Sequence, residues 1–493
     1  MESKRGFEII IILPEVNIVG WIFSASCYTE FLIVRRQVGT TSAFCEDNMN
    51  SMNRRSFIVA LGSTAAGICT GCVLEKRQKI GQDYFQLSDN GCGRATGYSL
   101  SHKIVTVEDK THVAWLDSVA GEGFRVRVRT LNRASGQWSP SHSIGAAVDN
   151  HGGPALTVDS QGFLHILYYP HGNPFYYRKS KYPNDASSWE PEIQFGEGLT
   201  YPTFLCGPDD TLYLTCRNTS TKVGQLELWT KRPGSDWAHE RVLAKVRYSG
   251  YAAFSEQICM DPSSYMLHMA LRFHEHSDRD AYGRLQRIAY MQSPDFGKTW
   301  QRSDGRKLEL PVTSETIETL STGGVEFGRI MQVGGISLDS DGTPHLVYSV
   351  REGLRSETFL AVLHRPGHWD QKSLASLLPE RVRDVSLSNP AGVTFASRGK
   401  MTITAHTQQL VSGEKEWGHV SNEVVQLIST NHGKSFELHQ ASRPDPNTAN
   451  WLANVERPGL FHSRRNKPGL IYTAGPPGQY LRDILSNGVW WVL

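Results

Sequence analysis

The sequence predicts an all-β fold, a seven-bladed β-propeller, on three observations. A turn followed by a short alternating strand recurs seven times. Segments carrying Trp or Phe separate the copies and indicate outer strands. No heptad pattern and no long helical pattern interrupts them. A period of about 40–50 residues holding four short strands is typical of a propeller blade. Because one blade cannot bury both of its faces alone, seven such blades must stack around an axis.

The repeat is traced through its seven copies. In chain order they are 108–116 (EDKTHVAWL), 159–168 (DSQGFLHILY), 208–216 (PDDTLYLTC), 261–271 (DPSSYMLHMAL), 339–349 (DSDGTPHLVYS), 397–405 (SRGKMTITA) and 464–472 (RRNKPGLIY). The outer strands between them are predicted at GQWSP, SSWEPE, SDWAHE, KTWQRS, GHWDQK and KSFELH.

A second motif supports the same fold. Residues 291–300 contain Ser293-x-Asp295-x-Gly297-x-Thr299-Trp300, which resembles the Asp-box of sialidase-like BNR repeats. The Asp side chain caps backbone donors of a hairpin turn and Gly supplies a positive φ. A degenerate copy spans 429–436, with Asn431 in place of the Asp and Phe436 in place of the Trp. The motif indicates a propeller and carries no information about a reaction.

The first 72 residues differ from the rest, so we divide the chain into an N-terminal extension (1–72) and a propeller domain (73–493). From Met52 the chain reads MNRRSF, then IVALGSTAAGI, then CTGC ending at Cys72. A twin-arginine start, an apolar run and small residues before a cysteine are typical of an exported lipoprotein signal. We therefore expect export to a secreted, periplasmic or cell-surface location, with membrane attachment through a lipidated Cys72.

Composition limits the choice of partner. Among the 493 residues, 39% are hydrophobic and 20% are charged, and the formal net charge is +2. Neither nucleic acid nor an anionic membrane is indicated by so small a charge. A polyanionic substrate would have to be bound by a local cluster of Arg, Lys and His. The four cysteines after Cys72 show no CxxC pair, which argues against a disulfide framework.

The densest group of ionisable residues lies in the second and third repeats. His151 precedes the strand PALTV, His171 follows FLHILYY, and Arg217 ends TLYLTC. Tyr201 stands before Pro202, which favours an extended backbone at Tyr201. Tyr248 and Tyr251 hold a corresponding place before the fourth repeat. Side chains at strand ends can project into one mouth of the central channel.

This set matches the needs of an elimination better than those of a hydrolysis. A glycosidase needs two carboxyl groups at a defined separation, but Asp149, Asp209 and Glu256 are scattered along the sequence. Eliminative cleavage of a uronic acid needs a cation at the C6 carboxylate, a base for the C5 proton and an acid for O4. Arg, His and Tyr can perform these tasks.

Residues 149–218, which include NHGGPALTVDSQGFLHILYYPHG and TYPTFL, resemble the BNR-repeat family that contains the ulvan lyases of polysaccharide lyase families 24 and 25. The resemblance extends over about 95–475. It implies cleavage of ulvan, a sulfated polymer of rhamnose and uronic acid, to products with a 4,5-unsaturated uronyl end.

The resemblance also implies roles for single residues. His151 matches the general base and Tyr201 the acid, or the reverse. Arg217 matches the arginine that neutralises the carboxylate, helped by His171 and Tyr251. Tyr248 competes with Tyr251 for the last position. A neutral histidine suits the base role because its free pKa is about 6.5.

Two further expectations concern metal and sulfate. The family carries a structural zinc, for which Cys259, His268, His274 and His276 are the expected ligands; no organic cofactor is expected. Zinc requires four ligands in a tetrahedral array. Sulfate recognition would fall to basic residues of the loops, Arg178 and Arg232 above all.

Two other functions remain open from the sequence. One is a sialidase-like glycoside hydrolase on the same fold, which would need clustered carboxylates at strand ends. The other is a carbohydrate- or protein-binding propeller without chemistry, which would be favoured by loss of the five candidate site residues. All five are present.

Overall fold

The computed structural model describes residues 84–169, 171–248, 252–275, 284–396, 400–412, 414–463 and 466–493, together with two short N-terminal strands, β1 (Ile12–Leu13) and β2 (Val16–Asn17), which pair with each other. The chain divides into compact units at 1–65 and 66–493. Cys72 and the expected export signal lie outside the described residues, so the N-terminal extension stays a prediction.

The described part of the larger unit consists of antiparallel sheets that follow one another along the chain, and the predicted all-β class is confirmed. The first four-stranded unit contains β4 (Ile104–Val107), β5 (Lys110–Val119), β6 (Gly123–Asn132) and the outer pieces β7 (Gln137–Trp138) and β8 (His142–Ala147), with β3 (Tyr84–Gly91) preceding it. The second contains β9 (Ala155–Val158), β10 (Leu164–Tyr168), β11 (Asn173–Lys179) and the start of β12 (Ile193–Cys206). The third contains the rest of β12, then β13 (Leu212–Asn218), β14 (Gln225–Lys231) and β15 (Ala238–Lys245).

The remaining units repeat the pattern. The fourth contains β16 (Ala252–Met260), β17 (Leu267–Glu275), β18 (Leu285–Ser293) and the outer pieces β19 (Trp300–Gln301), β20 (Lys307–Leu308) and β21 (Glu318–Gly323). The fifth contains β22 (Arg329–Leu338), β23 (Pro344–Glu352), β24 (Arg355–Arg365) and β25 (His368–Ser373). The sixth contains β26 (Leu387–Phe395), β27 (Met401–Thr407), β28 (Glu423–Ser429) and β29 (Glu437–Gln440). The seventh contains β30 (Asn450–Val455), β31 (Leu470–Ala474) and β32 (Asn487–Val492).

Helix is confined, in the described residues, to three single 3₁₀ turns at Val325–Phe327, Ala375–Leu377 and Glu380–Val382. None of them is long or apolar enough to cross a bilayer.

Each copy of the sequence repeat coincides with the second strand of a unit, namely β5, β10, β13, β17, β23, β27 and β31. Each repeat therefore marks one of the successive units in the described residues, and the count of seven blades stays a prediction. The strands β10, β13 and β27 are buried along their whole length. Their two faces are covered because each sheet packs between its neighbours, which is why the expected alternation of buried and exposed residues is absent.

The last unit is completed by the start of the domain. β32 pairs on one side with β31 and on the other with β3, which supplies the fourth strand. The first strands of successive units contact each other in order, from β4 and β9 to β26 and β30. Arg457 and Asn454 of the last unit then donate hydrogen bonds to the carbonyl oxygen of Ser101, before β4. The seven first strands thus surround a common axis.

Strand direction defines two ends of this axis. Connections between second and third strands, and those between units, lie on one end, which we call the upper face. Connections between first and second strands, and between third and fourth strands, lie on the other, the lower face. The Asp-box belongs to the lower face, where the Asp295 carboxylate accepts hydrogen bonds from the backbone N and the hydroxyl of Thr299, both at 2.7 Å. Its turn-capping role is confirmed.

Buried histidines make the fold sensitive to acid. Burial is the largest cause that lowers the pKa of seven of them, to about 4 in four cases. They are His102, His112, His151, His165, His268, His345 and His406. Between pH 6.5 and about 4 these histidines are protonated in the unfolded chain but remain neutral in the folded chain. The free energy of unfolding therefore decreases as the pH falls through this window.

We therefore expect the melting temperature to fall steadily from pH 6.5 to 4.5. Scanning calorimetry across this range, at constant ionic strength, measures the effect. A melting temperature that is unchanged between pH 7.5 and pH 5 would show that these imidazoles accept protons without unfolding.

Candidate active site

Four residues predicted from the sequence meet on the upper face. His151 lies on the connection between β8 and β9, and His171 lies in the turn between β10 and β11. Tyr201 is inside β12, and Arg217 is the penultimate residue of β13. The imidazole rings of His151 and His171 stack at 4.0 Å, and the rings of His151 and Tyr201 are 6.3 Å apart. The structure thus brings together an imidazole pair, a phenol and a guanidinium.

Asp149 holds the two imidazoles. Its Oδ1 accepts from the backbone N of His151 at 2.8 Å and lies 3.2 Å from Nδ1 of the same residue; its Oδ2 lies 2.7 Å from Nδ1 of His171. Burial alone would raise the pKa of Asp149, but the hydrogen bonds from the two histidines outweigh it and lower that pKa below its usual value. Because an ionised carboxylate only accepts, the Nδ1 atom of each imidazole carries a proton that faces Asp149.

Arg94 and Tyr98 extend the cluster. Nη1 of Arg94 lies 2.8 Å from Nε2 of His151 and also donates to the Tyr98 hydroxyl. The Tyr98 ring packs edge-on against Tyr201 at 4.6 Å. Burial lowers the pKa of His151 to about 4; Asp149 opposes the shift, and Arg94 and His171 add to it. His151 is therefore neutral at physiological pH.

Arg217 approaches Tyr201 from the other side. Its side chain is buried, and its guanidinium carbon lies 4.6 Å from the centre of the Tyr201 ring. The neighbouring carboxyl group of Glu256 is also buried, and burial raises its pKa to about 8 against the opposing effects of Thr215 and Arg217. Glu256 is thus protonated near neutral pH.

Tyr201 corrects one expectation about the backbone. The residue before a proline was expected to be extended, but Tyr201 has φ 58°, in the left-handed region. The register between β12 and β13 shifts between Thr200 and Thr203, so Tyr201 stands in a bulge. A bulge turns a side chain away from its regular direction and is common beside functional sites. Here it turns the phenol between Tyr98 and Arg217.

The basic residues expected to bind sulfate are not at this site. Arg178 pairs with Ile166, at the far end of the hairpin whose turn holds His171, and donates to the carbonyl oxygen of Ile144. Arg232 follows β14 on the lower face, where its closest acid is Glu240 at 3.9 Å. Six or seven residues of strand separate each of them from the upper face, roughly 20 Å. Sulfate binding by these two residues, if it occurs, is thus separate from the group on the upper face and stays a prediction.

The two further tyrosines have different outcomes. Tyr248 lies on the upper face, but its ring is 53% exposed and contacts the guanidinium of Arg247 at 4.9 Å. Tyr251 lies outside the described residues, so its role beside the carboxylate stays a prediction.

The expected zinc ligands do not form one site. Cys259 and His268 are opposite each other on β16 and β17, but Nδ1 of His268 is hydrogen-bonded to the Tyr290 hydroxyl at 2.7 Å. His274 is six residues further along β17, roughly 20 Å away, and Nδ1 of that residue contacts the Gln286 amide. His276 lies outside the described residues. This ligand set does not fit a tetrahedral zinc.

Within the described ranges, the group whose donor atoms could hold a metal ion is Asp149, His151 and His171, with ligand atoms within 4.8 Å of one another. Three protein ligands with an open position are typical of a catalytic zinc site. In this structure, however, the Asp149 oxygens already accept hydrogen bonds from both imidazoles. The arrangement is that of a carboxylate that orients two histidines.

Three residues of the site were not selected from the sequence. Asp149 was counted among scattered acids, and Arg94 and Tyr98 lie in GCGRATGYS (91–99), ahead of the first repeat. The sequence contained a signal in that segment, because three glycines stand close to an Arg and a Tyr between β3 and β4. The segment was not selected because it lies outside the repeats.

Comparison with known proteins defines the class. The model of the BNR repeat-containing family matches residues 110–377, more than half of the chain, and the chain belongs to this family. It is 22% identical to an ulvan lyase of Nonlabens ulvanivorans over 73% of this chain and 80% of that protein, and 22% identical to an ulvan lyase of Alteromonas sp. (strain LOR) over 64% and 73%.

Solved structures agree with the fold. A family 25 polysaccharide lyase, an ulvan lyase, superposes with a TM-score of 0.62 at 16% identity, over 82% of this chain and 94% of that one. The same holds for its complex with a -[GlcA(1-4)Rha3S]- fragment.

Proposed function

We propose that the protein is a polysaccharide lyase that cleaves ulvan, or a closely related sulfated uronate polymer, by β-elimination at the uronic acid. The observation that carries the proposal is the Asp149-bound imidazole pair beside Tyr201 and Arg217. The ulvan lyase relatives, and the bound uronate–rhamnose sulfate fragment in the similar structure, support the choice of substrate.

The carboxylate of the uronate is bound by Arg217. Its guanidinium is buried and positively charged, and it lies over the Tyr201 ring. Pairing with the C6 carboxylate withdraws charge from the sugar and makes the C5 proton more acidic. Charge-assisted hydrogen bonds from Arg to a carboxylate are strong and directional.

The base comes from the imidazole pair. Nε2 of His151 already lies 2.8 Å from Arg94, whereas no such contact is made by Nε2 of His171 in the described residues. The His171 side chain is also 28% exposed, against 8% for His151. We therefore assign removal of the C5 proton to His171, and to His151 the positioning of Arg94. This differs from the family resemblance, which implied that His151 is the base and that His171 helps to bind the carboxylate.

Tyr201 completes the reaction as the acid. The C5–H electron pair forms the C4=C5 double bond, the C4–O4 bond breaks, and O4 takes the phenolic proton. A free phenol has a pKa of about 10, so it is protonated at neutral pH and can donate. The product has an unsaturated uronyl end.

Incubation with ulvan tests the proposal against its two alternatives. We expect the ultraviolet absorbance of the unsaturated uronate to rise together with new reducing ends. Reducing ends without that absorbance would indicate a hydrolase, which the carboxylates of the site do not favour. Binding without either signal would indicate a non-catalytic propeller.

The two histidines are distinguished by His171→Gln and His151→Gln. If His171 is the base, His171→Gln should reduce kcat by about 10²-fold or more, whereas His151→Gln should chiefly change KM and the acidic side of the pH–rate profile. A larger loss of kcat in His151→Gln would restore the base role to His151.

Arg217→Lys and Arg217→Ala test carboxylate binding. We expect Arg217→Ala to raise KM and to lower kcat, because the charge acts both before and during proton removal, with a combined loss of about 10²-fold or more in kcat/KM. Arg217→Lys keeps the positive charge but lacks the planar guanidinium. Its kcat/KM should lie between the values of the unmodified protein and Arg217→Ala. Since Arg217 is buried, the melting temperature of each variant is the control; unchanged kcat/KM in a folded Arg217→Ala protein would exclude this role.

Chelation tests the metal question separately. We expect kcat to be unchanged after dialysis against a chelator, because Asp149 is engaged with the histidines. Loss of activity that is restored by Zn²⁺ would instead make the Asp149–His151–His171 group a metal site. Metal analysis of the purified protein also tests the structural zinc that the family resemblance implies.

Export and lipidation at Cys72 are proposed from the sequence pattern alone. N-terminal sequencing and mass spectrometry of the mature protein would locate the cleavage site and any attached lipid.

A further inference from the structure

An exposed tryptophan lies on the same face as the active site. Trp417 belongs to the connection between β27 and β28, which is on the upper face, and its side chain is 42% exposed. Most tryptophans of this fold pack between sheets; Trp115, Trp300 and Trp491 are at most 2% exposed. Core packing therefore does not account for Trp417.

The Arg94 side chain contacts both Trp417 and the active site. The guanidinium carbon of Arg94 lies 5.6 Å from the centre of the Trp417 ring, while Nη1 of the same Arg94 lies 2.8 Å from His151. A second link runs through the next upper-face connection, where the carbonyl oxygen of Leu481 accepts from the backbone N of Asn150 at 3.0 Å. The indole thus lies on the far side of Arg94 from His151.

Contacts on both Trp417 and the residue before it hold this part of the connection. The indole packs edge-on against buried Trp451 at 5.8 Å. The carbonyl oxygen of Glu416 accepts from the buried Gln408 amide at 2.7 Å, and the Glu416 carboxylate lies 3.3 Å from Nε of Arg351.

Gly418, which follows Trp417, packs closely against the connection between β31 and β32. Gly418 has φ 63°, and a Cβ there would lie 2.6 Å from Pro477. Only glycine fits so close an approach with that backbone conformation. A binding surface that is already ordered loses little conformational entropy when a ligand arrives.

We propose that Trp417 is the platform of a second sugar subsite, which binds the ring next to the uronate in the polysaccharide chain. An aromatic face buries the C–H face of a pyranose and leaves the polar edge of the sugar, with any sulfate, in water. The ligand class is thus a hexose or deoxyhexose ring of the polymer. This inference rests on the proposed function for the identity of the polymer.

Trp417→Ala and Trp417→Phe are compared with Tyr480→Ala, a 71% exposed aromatic of the neighbouring connection that serves as the matched control. We expect Trp417→Ala to raise KM for ulvan roughly tenfold, since an apolar ring contact is lost, while kcat changes much less. Trp417→Phe should recover part of the loss, and Tyr480→Ala should behave as the unmodified protein. Melting temperatures establish that each variant is folded.

A second measurement does not depend on turnover. Calorimetric titration of ulvan oligosaccharides into the Tyr201→Phe protein, with and without Trp417→Ala, should show the same roughly tenfold loss of affinity. Equal affinity, or equal KM in an active enzyme, would overturn the subsite and leave the lyase proposal standing. If binding depends on Trp417 but the unmodified protein does not cleave ulvan, the lyase proposal alone would be overturned. Neither binding nor cleavage would overturn both.

Discussion

Tyr201→Phe is expected to reduce kcat for ulvan cleavage by about 10²–10⁴-fold, the usual contribution of a positioned general acid. The substitution removes one oxygen and keeps the ring, so the packing against Tyr98 and the contact with the Arg217 guanidinium remain. The bulge that places the residue also remains, because it depends on the backbone of β12. KM should change little, since the carboxylate is bound by Arg217.

The matched control for this substitution is Tyr182→Phe. Tyr182 is 61% exposed and lies on the lower face, between β11 and β12. The same hydroxyl deletion there should leave kcat unchanged. The measurement is the initial rate of unsaturated-uronate formation, together with the melting temperature of both variants. A Tyr201→Phe protein with near-normal kcat would assign the acid to another group, and Tyr98 would be the next to test.

Asp149→Asn is expected to have the second large effect, a loss of about 10²-fold or more in kcat. An amide has one accepting oxygen and one donating nitrogen, whereas Asp149 accepts from Nδ1 of both His151 and His171. One imidazole must therefore exchange its tautomer. If it is His171, its Nε2 becomes protonated and cannot accept the C5 proton; if it is His151, its Nε2–H faces the Arg94 donor.

Asp209→Asn is the control for Asp149→Asn. Asp209 is an exposed carboxylate on the lower face that accepts hydrogen bonds from Thr211. The same chemical change there should leave kcat and its pH dependence intact. A shift of the pH–rate profile in Asp149→Asn, without a comparable shift in Asp209→Asn, would separate loss of imidazole orientation from a general loss of stability. Identical profiles for both proteins would rule out the positioning role of Asp149.

Much of the fold was predictable because its signal is local and repeated. A turn and a buried strand leave the same residue pattern in every unit, and the Asp-box bonds only within its own turn. The site residues His151, His171 and Arg217 were also accessible, since each stands where a strand begins or ends.

The rest depends on distances that sequence spacing does not encode. Arg178 and His171 belong to one hairpin, yet they lie at its opposite ends. Arg94 is 57 residues from His151, and the two side chains meet because the connections that carry them both lie on the upper face. The left-handed conformation of Tyr201 is imposed by register with β13 and not by the proline that follows, which favours another conformation. The sequence around Asp149 does not distinguish it from other acidic loop residues. Its role follows only from its contacts with His151 and His171.

The pairing of β3 with β32 makes the position of Arg94 depend on the closure of the seventh unit. Arg94 follows β3 by three residues, and β3 finds its partner in the final residues of the chain. Deletion of β32 is therefore expected to remove the contact between Arg94 and His151, while the second to sixth units keep the pairs between their own strands.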